Sequence, residues 1–262
     1  MLPPATVVLG YALALPIGLS LGLLGAGGSI LTVPVLHYVL GFGVKAAVPM
    51  SLVVVGLTSA FGAAEHWRDG SVSLRSAIAF GPPAILGALL GADLGLRVSA
   101  TVQLTVFAVA MLAAAVSMYA GAARRAPQAP AAEAVSTPPG GRRPRLPFVT
   151  LVGAAVGALT GFVGVGGGFI YVPALVVLGG LAMKEAVGTS LVLIVLSCTA
   201  GVIRYRGSAG FDWPAIALFT AIAFVGVGAG SRMARHVSPQ ALRRGFAAFL
   251  LVMGAFVLLR PH

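Results

Sequence analysis

Charge is scarce in this sequence. Only 9% of its 262 residues are charged, and six of them are acidic. A soluble domain devotes about 25% of its residues to charge. This chain cannot clothe a water-facing surface, so lipid must be the solvent for most of it. The shortage of carboxylates leaves no acidic ring for a cation pore. Cysteine occurs once, at Cys198, which excludes an internal disulfide and leaves the redox compartment open. The four histidines, His37, His66, His236 and His262, lack metal-ligand spacing, so neither a metal cofactor nor a metal-cation cargo is expected. Aromatics make up 8%, and the apolar stretches run to about twenty residues. A barrel would instead alternate over strands of about ten.

What is abundant points the same way. Hydrophobic residues make up 58% of the chain, and mean hydropathy is +1.01. The 36 glycines and 17 prolines are compatible with membrane helices, where neighbouring helices satisfy the backbone groups they free. The fold class is an all-α polytopic membrane protein. Its net charge of +11 is concentrated in part at Arg124, Arg125, Arg142, Arg143 and Arg145, opposed locally only by Glu133. That cluster reads as a cytoplasmic loop under the positive-inside rule. It forms no folded basic surface, so nucleic acid is not an expected partner. The first apolar segment follows Met-Leu-Pro-Pro without a basic leader and reads as a mature first span.

Shifting the sequence by 139 positions brings it onto itself. GLLGAGGSILTVPVL (22–36) falls on GFVGVGGGFIYVPAL (161–175), with seven of 15 positions identical. The same register aligns KAAVPMSLV (45–53) with KEAVGTSLV (184–192). The chain therefore reads as two homologous helical repeats, residues 1–120 and 148–262. A flexible basic linker, residues 121–147, joins them and is rich in Ala, Pro, Gly and Arg.

Each repeat has five apolar segments, about 5–24, 29–42, 47–64, 76–96 and 101–120, then about 148–164, 168–180, 186–203, 214–231 and 241–259. The second of each is short. At 1.5 Å per residue it extends ~20 Å, against a hydrocarbon core of ~30 Å. It is either a tilted crossing, which makes the repeats inverted, or a re-entrant segment, which makes them parallel. With the linker inside, inversion puts Lys184, Arg232, Arg235, Arg243 and Arg244 on the cytoplasmic side and leaves Arg204, Arg206 and Arg260 outside. The positive-inside rule favours that arrangement.

The candidate site lies where both repeats break. Interrupted, short segments in corresponding halves are the best sequence pointer to a transporter's binding site. Gly25, Gly27, Gly28 and Ser29 in one repeat, and Gly164, Gly166, Gly167 and Gly168 in the other, leave bare N–H groups at the start of the following helix. Those donors and the helix dipole suit an anion. Pro34 and Pro173 mark the breaks from the other side. Close helix packing is the competing role for each glycine taken singly. Hydroxyls at Ser51, Thr189 and Ser190, near a second helix start, add candidate donors, although capping is the commoner use of membrane serines. Thr58, Ser59, Ser197, Cys198 and Thr199 follow two turns on as a candidate polar path. Glu65 and Asp93 are the candidate coupling carboxylates, and both lie close enough to an interface to be solvated. Arg204 and Arg206 suit interfacial anchors or an anion entrance. A nucleotide loop at GVGGG is excluded, because no strand precedes it and no acidic residue follows at the needed distance.

These paired G-x-G-G-(G/S)-x-x-x-V-P-x-L motifs, each followed by an (M/T)-S-L helix, resemble the sulfite exporter TauE/SafE family over nearly the whole chain outside the linker. The resemblance implies a permease of the cytoplasmic (inner) membrane for small sulfur-containing anions such as sulfite, thiosulfate or organosulfonates. Secondary, ion-coupled transport by alternating access around the two Gly breaks, without a cofactor, is the expected function. The first copy departs from the second at Ser29 and Met50, where the other has Gly168 and Thr189. A passive anion channel and a membrane scaffold without flux are the alternatives. No catalytic constellation is present in the sequence, and an enzyme is not expected.

Overall fold

The computed structural model describes residues 4–24, 27–123, 146–164, 168–177, 180–207 and 210–234, with 248, 251, 252 and 255. Among the described residues the regular structure is helical, without strands. The helices are α1 (Pro4–Ala12), α2 (Ala14–Leu24), α3 (Gly27–Pro34), α4 (Val44–Arg68), α5 (Leu74–Arg97), α6 (Ala100–Ala123), α7 (Leu146–Val163), α8 (Gly168–Val177), α9 (Met183–Tyr205) and α10 (Trp213–Ala234). The linker arginines, Glu133 and most of the segment at 241–259 lie outside the described residues.

Among the described residues five stretches are long and apolar enough to cross a membrane: Thr6–Leu23, Val44–Arg68, Leu74–Arg97, Met183–Tyr205 and Trp213–Met233. The first joins α1 and α2, because Leu13 N–H still reaches Leu9 O at 3.0 Å and Ile17 N–H reaches Leu13 O at 3.2 Å. Pro16 lacks the N–H that would reach Ala12, which accounts for the single residue, Leu13, that separates them. After Pro34 the chain widens into a π-helical turn, Val35–Val39, closed by Leu40 N–H to Val35 O at 3.0 Å.

The helices are apolar on the outside, and their inner faces mix small and polar residues with large apolar ones such as Phe107, Phe219 and Leu52. Along α5, Ile78, Leu86, Leu90 and Leu94 are exposed, whereas Ala84, Gly87, Ala88, Gly91 and Ala92 are buried. The buried polar side chains include Ser51, Thr58, Ser59, Thr160, Ser190 and Ser197. A water-soluble fold would reverse this distribution. In lipid, leucine gains nothing from burial, and helices associate through small residues that let backbones approach.

Those approaches pair helices from different parts of the chain. Gly157 and Gly161 on α7 face the carbonyls of Ala84 and Ala88 on α5, while Gly87 and Gly91 face those of Ala154 and Ala158. Gly18 and Gly22 on α2 face Ala223 and Val227 on α10, and Gly226 and Gly230 face Leu15 and Leu19. Each contact in one set becomes a contact in the other on adding 139 to one residue number and subtracting it from its partner's. In both pairs the numbering rises together, so α2 runs parallel to α10, and α5 parallel to α7.

The central pair is antiparallel. Gly56 meets Cys198, Gly62 meets Leu191, and Gly201 meets Leu52 across α4 and α9. The turn at residues 69–73 makes α4 antiparallel to α5 as well. We call the face where α4 ends the first face and that where α5 ends the second. Lys45, at the start of α4, donates to Gly95 O and Val98 O at 2.6 Å each, which closes the carboxyl end of α5 at the second face.

Candidate functional site

A helix that ends inside a membrane protein leaves up to four carbonyls without partners, and lipid offers none. The end of α7 meets this requirement with three side chains from three other helices. Ser51 Oγ, on α4, donates to Gly164 O. Gln103 Nε2, on α6, donates to Phe162 O. Tyr205 OH, at the end of α9, donates to Gly161 O at 3.3 Å. All three side chains are buried. The helix's own last bond, Gly164 N–H to Thr160 O at 2.9 Å, precedes a left-handed turn at Gly164, φ +76°. A Cβ at Gly164 would sit 2.6 Å from Val48 O and 2.9 Å from Val48 Cα, so both the turn and the close approach require glycine.

The candidate residues fall into separate places around this clamp. Gly27 and Gly168 are the first residues of α3 and α8, and the left-handed turn at Gly164 ends α7, so a helix break occurs at the second Gly motif as expected. Gly28 and Ser29 lie in the first turn of α3, whereas Gly25, Gly166 and Gly167 lie outside the described residues. Pro34 ends α3 ahead of the π-turn, and Pro173 falls inside α8. Ser51 and Gly164 are brought together.

Ser190 is not brought to them. It is level with the turn of α4 after Gly62, about twelve residues and roughly 18 Å along the helix axis from Ser51. The hydroxyls are also committed to protein partners. Besides Gly164 O, Ser51 Oγ lies 2.7 Å from Val48 O, and Ser190 Oγ donates to Val187 O at 2.7 Å. Thr189 Oγ1 accepts from Ser73 N–H at 2.9 Å, ahead of α5.

Midway along α4 and α9 lies a second polar layer. Tyr171 OH, from α8, is 2.7 Å from Ser197 Oγ, and both side chains are fully buried. Thr58 Oγ1 donates to Val54 O at 2.8 Å, whereas buried Ser59 Oγ has no hydrogen-bond partner. Cys198 packs beside Gly56, and Thr199 faces outward with its hydroxyl on Val195 O at 2.8 Å. Tyr171, Gln103 and Tyr205 were not among the sequence candidates. Gln103 carried a usable signal, a lone amide near the start of an apolar helix.

Neither carboxylate stands in this layer. Asp93 bridges Arg97, at 2.8 Å, and Arg204, on α9. Glu65 is in the last turn of α4 and half-buried. Arg204 is thus engaged with Asp93, and Arg206 is exposed in the turn after α9. Among the described residues no group of three His, Cys, Asp or Glu side chains is placed to hold a metal.

Ser51→Ala is expected to cost about 1–3 kcal/mol, the range for a buried carbonyl left unpaired. Thr199→Ala removes a hydroxyl bonded only within its own helix and should cost much less. Thermal unfolding of both variants in detergent measures the difference, and equal losses would deny the Ser51–Gly164 bond any structural weight.

Apolar helices joined through glycine seams around a buried polar layer define a multi-pass helical membrane protein. The family model for Sulfite exporter TauE/SafE matches residues 10–257, and the chain belongs to that family. A probable membrane transporter protein of Xylella fastidiosa (strain 9a5c) is 31% identical over 93% of this chain and 92% of its own length. One from Methanocaldococcus jannaschii is 26% identical over 99% and 96%, and one from Bacillus subtilis 24% identical over 91% and 94%. No solved structure matches the chain.

Proposed function

We propose that this membrane transporter is a secondary carrier that exports a small sulfur-containing anion, such as sulfite, thiosulfate or an organosulfonate, across the cytoplasmic membrane. The observation that carries the proposal is a sulfite exporter family match spanning both helix breaks, at Gly27 and Gly168. Backbone N–H groups at the starts of α3 and α8 replace part of the anion's hydration shell. Ser51, Thr189 and Ser190 hold the surrounding backbone, and Ser59 has an unspent hydroxyl on the path between the breaks.

The architecture proposed is a pair of inverted repeats, residues 1–120 and 148–262, joined by a cytoplasmic linker at 121–147. Two features support it. The glycine seams recur at an offset of 139, and α4 and α9, equivalent at that offset, run antiparallel. In this arrangement α2 and α4 run in the same direction, so α3 and the π-turn carry the chain back across the bilayer. Leu40, at the end of that return, packs on Gly10 of the first span. Segment α8 does the same between α7 and α9. Alternating access then moves the α4–α9 pair between two outer pairs, α2–α10 and α5–α7, whose backbones are in contact.

The test is a ligand panel on purified protein in detergent, followed by counterflow of the best ligand in proteoliposomes. A ligand at 100 times its Kd adds about 2.7 kcal/mol to the native state. One sulfur oxyanion should stabilise the protein selectively and exchange across the bilayer, and Gly166→Val should abolish both effects. If sulfite, thiosulfate, sulfoacetate and taurine neither stabilise nor exchange, the substrate class is wrong.

A further inference from the structure

The offset of 139 that relates the glycine seams also runs through the polar layer at mid-span. Across α4 and α9, exchanging the copies turns the contact of Gly62 with Leu191 into that of Gly201 with Leu52. The copies therefore cross level with Leu57 and Leu196, close to the middle of both helices. Thr58 and Ser59 on α4, and their equivalents Ser197 and Cys198 on α9, lie within two residues of that level, about 3 Å along the helix. All four are buried. The layer also adjoins a helix start, because Tyr171, whose hydroxyl reaches Ser197, is in the first turn of α8.

The two halves of this layer are built differently. In the second copy the polar groups satisfy one another. Tyr171 OH is 2.7 Å from Ser197 Oγ and within reach of the Thr160 hydroxyl as well. In the first copy the positions equivalent to Tyr171 and Thr160 hold Thr32 and Leu21. Threonine is shorter by a whole ring and leucine has no polar atom, so the network cannot be repeated. Thr58 bonds within its own helix instead, to Val54 O at 2.8 Å. Ser59 Oγ is fully buried and has no hydrogen-bond partner. An unpaired hydroxyl is costly at this depth, since lipid supplies nothing in place of water, and alanine would avoid the cost.

We infer that this layer binds one small oxyanion per chain, off the axis that relates the copies, with Ser59 as a hydroxyl donor and the Tyr171 side as a fixed wall. This rests on the anion carrier and the inverted repeats proposed above. A site with two equal halves would hold two ligands, or one on the axis. Closing one half with Tyr171 leaves a single site in which the anion accepts the hydroxyl hydrogen that the protein leaves unbonded. Binding there breaks no hydrogen bond of the protein.

The test uses the equivalence of Ser59 and Cys198. The wild-type protein has its one thiol at Cys198, and the Ser59→Cys, Cys198→Ser variant has its one thiol at the equivalent position. In native membranes, a small thiosulfonate bearing a sulfonate group should label the variant at least tenfold faster than the wild type. Equal rates, or no labelling of either, overturn the inference, and this readout needs no known substrate. A second comparison takes sulfite as the probe, with purified protein in detergent. Calorimetric titration should give one site per chain. Ser59→Ala should weaken binding about tenfold, or ~1.4 kcal/mol, without lowering the unfolding midpoint, because no protein partner is lost. Tyr171→Phe should do the opposite, lowering the midpoint while retaining affinity. Unchanged affinity in Ser59→Ala, or two sites per chain, defeats the inference. If sulfite does not bind the wild type but the labelling contrast holds, the substrate class proposed above fails and the one-sided layer is upheld.

Discussion

Gly161→Ala is expected to destabilise the protein severely, although alanine is the better helix former by about 1 kcal/mol. The reason is the partner. The added methyl would point at the Ala88 carbonyl, part of a helix backbone rather than a flexible side chain. Neither helix can shift alone, because Gly157, Gly87 and Gly91 fix the same seam at three more points. Overpacking typically costs 1–3 kcal/mol and more where nothing can yield, which is a large share of a total stability of about 5–15 kcal/mol. Separation of α5 from α7 would also loosen the Gly161 carbonyl from Tyr205. Gly228→Ala is the matched control, since its nearest outside atom would be Phe61 Cε1 at 3.8 Å, an ordinary contact. Its expected effect is neutral or slightly stabilising. Thermal unfolding of the two variants in the same detergent decides the matter, and similar midpoints would mean that the seams are looser than this geometry requires.

The second large effect is expected at the break itself. Gly164 and Gly180 both have positive φ, +76° and +65°, so alanine pays the left-handed penalty of about 1–2 kcal/mol at either position. They differ in surroundings. A Cβ at Gly180 meets nothing within 4 Å, whereas one at Gly164 meets Val48 Cγ1 at 2.5 Å and the Val48 backbone. Gly180→Ala should therefore cost only the conformational penalty. Gly164→Ala should cost roughly 2–5 kcal/mol once overpacking is added, and it should weaken the Ser51 bond that holds the end of α7. Denaturation of both variants, with ligand affinity measured alongside, gives the comparison. Equal losses would show that the α4 approach to Gly164 has slack.

Helix existence was legible because each span is a long apolar run that no other structure can carry through lipid. The short second segments were legible, since α3 begins at Gly27 and α8 at Gly168, and the break at Gly164 lies inside the second Gly motif. Boundaries moved outward by two to four residues at α4 and α9, where Val44 and Met183 begin helices ahead of the evenly apolar core. The role of Ser51 was less legible. The sequence marked it as a donor, but only the fold supplies the Gly164 carbonyl, 113 positions away, that accepts its hydrogen bond. Asp93 and Arg204, separated by 111 positions, were likewise singled out one at a time. Pairing across such distances depends on which seams close, and glycine in a sequence does not name its neighbour.

Those seams have a further bearing on what holds the molecule in one piece. Each outer helix pair draws one member from the early helices α2 and α5 and one from the late helices α10 and α7, so the first and second halves of the chain are interlaced, each supplying the wall against which the other is built. Neither half retains both members of either pair on its own. What fixes α7 against α5 is therefore the glycine seam between them and not the covalent order of the chain.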